Sequence, residues 1–123
     1  MQQIVKNYIE AYNNFDISGM LADLAANVEF NNIVNGEVTL TLTGIEDFKT
    51  QAASAATFFT VRHQTITEIK AEERKVSVAI AYKAVLAKDL SDTLKKGDEL
   101  ILNGSSIFYF DQYQKIIRID DIS

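Results

Sequence analysis

Val28-Glu29-Phe30-Asn31-Asn32, then Asn35-Gly36, then Val38-Thr39-Leu40-Thr41-Leu42, then Thr43-Gly44-Ile45-Glu46 is the stretch on which the fold turns. The first five residues read as a short strand, and Val38 to Leu42 as its returning partner. Asn-Gly between them is the strongest two-residue hairpin signal in the chain, because both central positions of that turn need φ > 0. Thr43 lies three residues ahead of Glu46, the spacing of a capping box, and so predicts a helix directly after the hairpin. That helix would turn Ile45, Phe48, Ala52, Ala55, Ala56 and Phe59 toward a core.

Upstream of the hairpin the period is helical. Ile4, Val5, Tyr8, Ala11, Tyr12 and Phe15 recur at three- and four-residue spacing and predict a first amphipathic helix. Asp16 reads as the N-cap of a short second helix carrying Ile17, Met20, Leu21 and Leu24 on its inner face. Downstream the remainder reads as four strands, Val61 to Ala71, Val76 to Ala87, Glu99 to Phe110 and Lys115 to Ile122. Arg74 and its neighbours, Lys88 to Asp98 and Asp111 to Gln114 separate them. The expected architecture is α+β, in the order α-α-β-β-α-β-β-β-β, as a single domain over residues 1–123 with no linker or repeat.

In Val76-Ser77-Val78-Ala79-Ile80-Ala81-Tyr82 one face is large and apolar, and the other is small but still mostly apolar. A sheet open to water on one side would alternate with polar residues. Three short helices cover only one face, so the second is expected to meet a second copy in a sheet-to-sheet homodimer. The alternative is that Ala and Ser simply tolerate exposure.

Composition removes several function classes. The formal net charge is −5 over 123 residues, with 12 basic and 17 acidic side chains, so no basic field is available for nucleic acid or an anionic membrane. The chain has no cysteine and one histidine, which excludes thiolate metal sites and leaves too few ligands for a zinc centre. The glycines at 19, 36, 44, 97 and 104 form no phosphate cradle. No metal or other cofactor is expected. No apolar run approaches a membrane span, Met1 to Glu10 lack a signal-peptide core, and a cytoplasmic location is the expectation.

The order of elements, with several motifs, resembles the nuclear transport factor 2-like superfamily, in particular SnoaL-like domains related to polyketide cyclases and ketosteroid isomerases. Ile4 to Asp16 resembles the family's opening helix and its exit. Leu24-Ala25-Ala26-Asn27-Val28-Glu29-Phe30 is similar to the stretch that follows. Thr43-Gly44-Ile45-Glu46-Asp47-Phe48 resembles the start of its third helix, and Phe108-Tyr109-Phe110-Asp111 with Lys115-Ile116-Ile117-Arg118 its closing hairpin. The resemblance covers most of the chain. It implies a cone: three N-terminal helices on a strongly curved, mixed but mainly antiparallel sheet, around a pocket for a small apolar molecule. Carried over, the pocket would take Tyr8, Tyr12, Phe30, Asn32, Phe48, Val78, Ile80, Tyr82, Ser106, Phe108, Ile117, Ile119 and Asp121. The same residues could instead fill a solid core.

Ketosteroid isomerases use a carboxylate base with a tyrosine and a protonated aspartate as oxyanion donors. Tyr8 matches the tyrosine, but Asn32 stands at the base position and Ser106 at that of the aspartate, so that route is not available. The histidine and tryptophan of the cyclase-type closing motif are replaced by Ile119 and Asp120, while its aspartate matches Asp121. Alternation sets Asp121 on the face of Ile117 and Ile119, with Asp120 opposite. A carboxylate among isoleucines loses hydration, its pKa rises, and it could then exchange protons near neutrality. Against this, Asp121 lies two residues from the end and could be solvated. His63 is a second candidate, as a proton relay if it faces inward and an ordinary surface residue otherwise. Tyr8 and Tyr12 lie one helical turn apart, as ligand-orienting hydroxyls or as core aromatics.

Two readings follow. One is a pocket enzyme performing cofactor-free acid–base chemistry (isomerase, cyclase, dehydratase or hydrolase), with Asp121, His63 and Tyr8 as catalytic candidates. The other is a non-catalytic ligand-binding or dimerisation module that has lost the family's acid–base residues.

Overall fold

In the computed structural model, which describes residues 1–123, helices α1 (Gln2–Asn13) and α2 (Ile17–Leu21) precede strands β1 (Leu24–Val34) and β2 (Glu37–Thr43). Helix α3 (Ile45–Ala56) leads into β3 (Phe59–Glu72), β4 (Lys75–Leu86), β5 (Glu99–Phe110) and β6 (Ile116–Ile122). The expected α+β order is present. All six strands form one sheet in the order β2-β1-β6-β5-β4-β3. Every neighbouring pair is antiparallel except β1 and β6, which run parallel.

Local chemistry accounts for most boundaries. Asn35 and Gly36 both take positive φ (52° and 81°), as the hairpin required. Asp16 caps α2 by accepting from the Gly19 amide at 2.9 Å. At α3 the sequence expectation needs correction, because the N-cap is Gly44 rather than Thr43 and no side chain caps the helix. Gly44 sits at φ 91°, a conformation without steric cost only for glycine, and its amide donates to the Val28 carbonyl at 2.8 Å. Glu46 and Asp47 in the first turn then favour the positive end of the helix dipole.

Two residues expected on helices belong to strands. Leu24 opens β1, where it pairs with Ile116 of β6, and Phe59 opens β3, where it pairs with Leu86. In both cases a partner distant in sequence overrides the local helical period. Register shifts interrupt several of the strand pairs, including β1 on both of its sides, and such bulges bend a sheet into a cup.

The helices close that cup. Val5 and Ile9 of α1 join Val76, Val78, Phe108, Phe110, Ile116 and Ile119 in one buried cluster. Tyr8 meets the edge of Phe108 at 5.3 Å between centroids, and Phe30 meets that of Phe48 at 5.7 Å. The end of α1 is also stitched to edge strand β3. Asn13 Nδ2 donates to the Gln64 carbonyl at 3.1 Å, and Asn13 Oδ1 accepts from the Gln64 amide at 2.7 Å. One side-chain amide thus occupies strand-edge groups that would otherwise be open to another chain.

Candidate active site

A cavity of about 440 Å³ opens between α1, α3 and the inner sheet face, with Tyr8, Tyr12, Phe30, Asn32, Phe48 and Asp121 in its wall. A smaller one of about 260 Å³ adjoins it, lined in part by Ile80, Tyr82 and Ser106. Tyr12, Asn32 and Asp121 line both. The sequence-expected residues therefore divide. Val78, Phe108 and Ile119 are at most 2% exposed and belong to the packed core rather than to either wall.

Ile117 and His63 are not brought to this group. A bulge between Phe110 and Tyr109, opposite Ile116 and Arg118, breaks the β6 alternation. Ile116 consequently takes the core position, while Ile117 is half-buried outside the core cluster. His63 is exposed and pairs with the exposed Lys83, whereas its neighbour Arg62 pairs with buried Ala84 on the inner face. Strand parity thus turns His63 outward and Arg62 inward.

Asp121 is the chemically distinctive member. The β5–β6 register sets it opposite Ser106, whose hydroxyl donates to Oδ1 at 2.7 Å. Burial pushes its pKa up to about 6; the Ser106 hydrogen bond pulls downward, and the neighbouring Asp120 adds a smaller upward push. Asp120 itself lies on the opposite face, 4% exposed. There it accepts from Asn31 Nδ2 at 3.0 Å and Arg118 Nε at 2.9 Å.

The three inward tyrosines, Tyr8, Tyr12 and Tyr82, remain phenols. Burial raises Tyr8 well above the usual tyrosine range, with the Asp121 carboxylate adding to the effect. Tyr12 and Tyr82 are likewise raised by burial, and their hydroxyls hydrogen-bond each other at 2.9 Å.

No fully buried side-chain nitrogen or oxygen lacks a hydrogen-bond partner. The Tyr8 hydroxyl has none within the chain, so it must reach open space, and the space it lines is the larger cavity. Asn32 donates to Thr39 Oγ1 at 3.0 Å and supplies an amide where a base would be needed.

Sequence reasoning missed Arg62, which lines the larger cavity at 2% exposure. Its Nε donates to the Tyr12 carbonyl at 2.7 Å, at the end of α1, where a cation is favoured by the helix dipole. Its Cζ lies 3.7 Å from the Tyr12 ring centroid and 4.6 Å from that of Phe15. The available signal was parity alone, since Arg62, Gln64 and Ile66 share a face that looks polar in sequence. Leu40 and Leu42, also in the wall, were legible as an alternating pair on β2.

The family pattern described as the SnoaL-like domain matches residues 5–119. Among solved structures, a candidate polyketide cyclase from Xanthomonas campestris pv. campestris superposes with a TM-score of 0.84 at 20% identity, covering 99% of this chain and 88% of that one. TerC, co-crystallised with polyporic acid, superposes at 0.77 with 19% identity, over 98% of this chain and 88% of its own. An epoxide hydrolase of the LEH-like type from M. tuberculosis gives 0.76 at 15% identity, over 98% and 79%. At these identities the likeness is one of fold. No match is found among curated proteins.

Proposed function

The chain belongs to the SnoaL-like domain family, and from that premise we propose that its larger cavity binds a small, mostly apolar molecule on which Asp121 performs cofactor-free proton transfer. The observation that carries this reading is the Asp121 carboxyl in the cavity wall, with a pKa pushed up to about 6. A group of that strength is a base near neutrality and, once protonated, a competent acid. Asp121 Oδ2 would take a proton from a carbon beside a carbonyl, while Ser106 holds Oδ1 in place. The Tyr8 hydroxyl, kept protonated by burial, would donate to the oxygen on which charge develops. His63, exposed on the outer face, takes no part in this scheme.

The range of chemistry named for fold relatives, from polyketide cyclisation to epoxide hydrolysis, agrees with a pocket whose wall residues define the reaction. The non-catalytic reading is favoured by one observation, the absence of a second acid or base beside Asp121 at Asn32, Ser106 and Ile119. We also propose a homodimer through the outer sheet face, where Ile101 and Val61 are 70% and 56% exposed, and a cytoplasmic location.

Hydrogen–deuterium exchange separates catalysis from binding. The protein should accelerate exchange at the α-carbon of 1-indanone in deuterated buffer, and Asp121→Asn should lower that rate on the order of a hundredfold. If 1-indanone binds but exchanges no faster than in buffer, the catalytic half is wrong and the ligand-binding module stands.

A further inference from the structure

Arg62 is a buried cation with no anionic partner. None of the ion pairs in the protein includes it, although Arg118, Lys70, Lys75, Lys83 and Lys95 all find carboxylates. Its protein contacts account for only part of the guanidinium. Nε is taken by the Tyr12 carbonyl, one Nη2 hydrogen points at the Met20 sulfur at 3.9 Å, and the aromatic faces of Tyr12 and Phe15 lie against Cζ. Nη1 has no acceptor anywhere in the chain. Because no fully buried polar side-chain atom is left unpaired, Nη1 must touch open space, and Arg62 lines the larger cavity.

An arginine in this condition is poised to bind rather than merely to pack. Removing a guanidinium from water without an anion is costly, and a thioether is a weak acceptor that recovers little of the lost hydration. The planar group is already oriented by the Nε hydrogen bond and the flanking rings, so little side-chain freedom remains to be lost when a ligand arrives. The rest of the wall is chiefly apolar, with Phe30, Leu40, Leu42, Phe48 and Phe59 facing the same space. A ligand matched to it has an apolar body and one anionic group.

We infer that Arg62 is the anchor for a carboxylate, so that the cavity takes a small apolar carboxylic acid bound as its anion through Nη1. This deepens the pocket reading above and rests on it. It does not require that Asp121 be catalytic. The hydroxyl of Tyr8, free and in the same wall, is a second donor available to the bound acid. Charge and shape together set the selectivity. A neutral molecule of the same outline would leave the guanidinium unpaired, and a polar acid without an apolar body would leave the aromatic wall wet.

The test compares 2-naphthoate with its neutral isostere 2-naphthamide by calorimetry on the full chain, at about pH 5. That lies below the value of about 6 to which Asp121 is pushed, so its carboxyl is mostly neutral while the probe remains ionised. The expected result is that naphthoate binds about tenfold or more tightly than naphthamide, the advantage of a charge-assisted contact over a neutral one. Arg62→Met should abolish that preference, lowering naphthoate affinity about tenfold or more. Should Arg62→Met fail to fold for want of the tie to α1, Arg62→Lys, which retains charge but not the planar fork, should retain a reduced preference. Equal affinity of the two probes for the wild-type protein would overturn the Arg62 assignment and leave the pocket intact. Failure of both probes to bind would overturn the pocket reading and this inference with it.

Discussion

Ser106 Oγ donates to Asp121 Oδ1 at 2.7 Å, across a register in which the two residues stand directly opposite on β5 and β6. The contact opposes the larger effect of burial, because it stabilises the ionised carboxylate that desolvation disfavours. Ser106→Ala should therefore raise the Asp121 pKa further, by about half a unit to one unit. Carboxyl-carbon NMR titration reads this directly. A wild-type midpoint in the ordinary aspartate range, or a downward shift in the variant, would contradict the geometry.

The same shift makes stability depend on pH with a definite sign. Asp121 binds its proton more tightly folded than unfolded, so the folded state holds more protons between the ordinary value of 3.8 and about 6. Stability from this group is thus greatest at low pH and is lost as pH rises through that window. Asp121→Asn, which is neutral throughout, should remove the loss and be more stable than wild type above about pH 6, by up to about 3 kcal/mol. Urea unfolding of both proteins at several pH values measures the difference, and parallel curves across the window would refute it.

How far the site was legible depends on what kind of interaction fixed each residue. The Asn35-Gly36 turn and the Asp16 cap are local and were read from their own residue types. The inward placement of Asp121 was legible because alternation holds from Ile119 onward. Ile117 failed where a bulge, set by pairing with Phe110 and Tyr109, inserts one residue that no local pattern announces. Thr43 failed as a cap because the chain enters α3 at a φ that only Gly44 adopts without strain. His63 and Arg62 take opposite faces of β3 for a comparable reason. The side of β3 that faces inward is decided by its register with β4 and by the end of α1, both distant in sequence.

Gly104 is a second long-range constraint on Asp121. A Cβ added there would stand 2.9 Å from the Ile122 carbonyl oxygen, backbone of the residue after Asp121. Because the obstacle is main chain, β5 and β6 would have to separate. Gly104→Ala should destabilise the protein by about 1–3 kcal/mol, a typical cost of overpacking. It should also loosen the end of β6, moving the Asp121 pKa back toward an ordinary aspartate as water enters. Thermal unfolding and the same carboxyl titration check the two effects, and an unchanged titration would show that Asp121 is held independently of this contact.

The outer sheet face supplies the last expectation. Ile101 pairs with Lys83, and Lys83 with His63, so one row across β5, β4 and β3 presents an isoleucine, a lysine and a histidine outward, with Val61 nearby on β3. Ile101 at 70% and Val61 at 56% exposure are large apolar side chains left in water by the isolated chain. Burial of this face against a second copy would remove both, and the isologous contact would set each Ile101 against the same surface of its partner. A charge introduced there would be buried twice per dimer. Ile101→Glu should therefore shift sedimentation from dimer to monomer with little change in the far-UV circular dichroism, since the side chain makes no core contact within its own chain. A wild-type protein sedimenting as a monomer at concentrations of about 100 μM, far above the dissociation constant of an ordinary stable dimer, would rule the interface out.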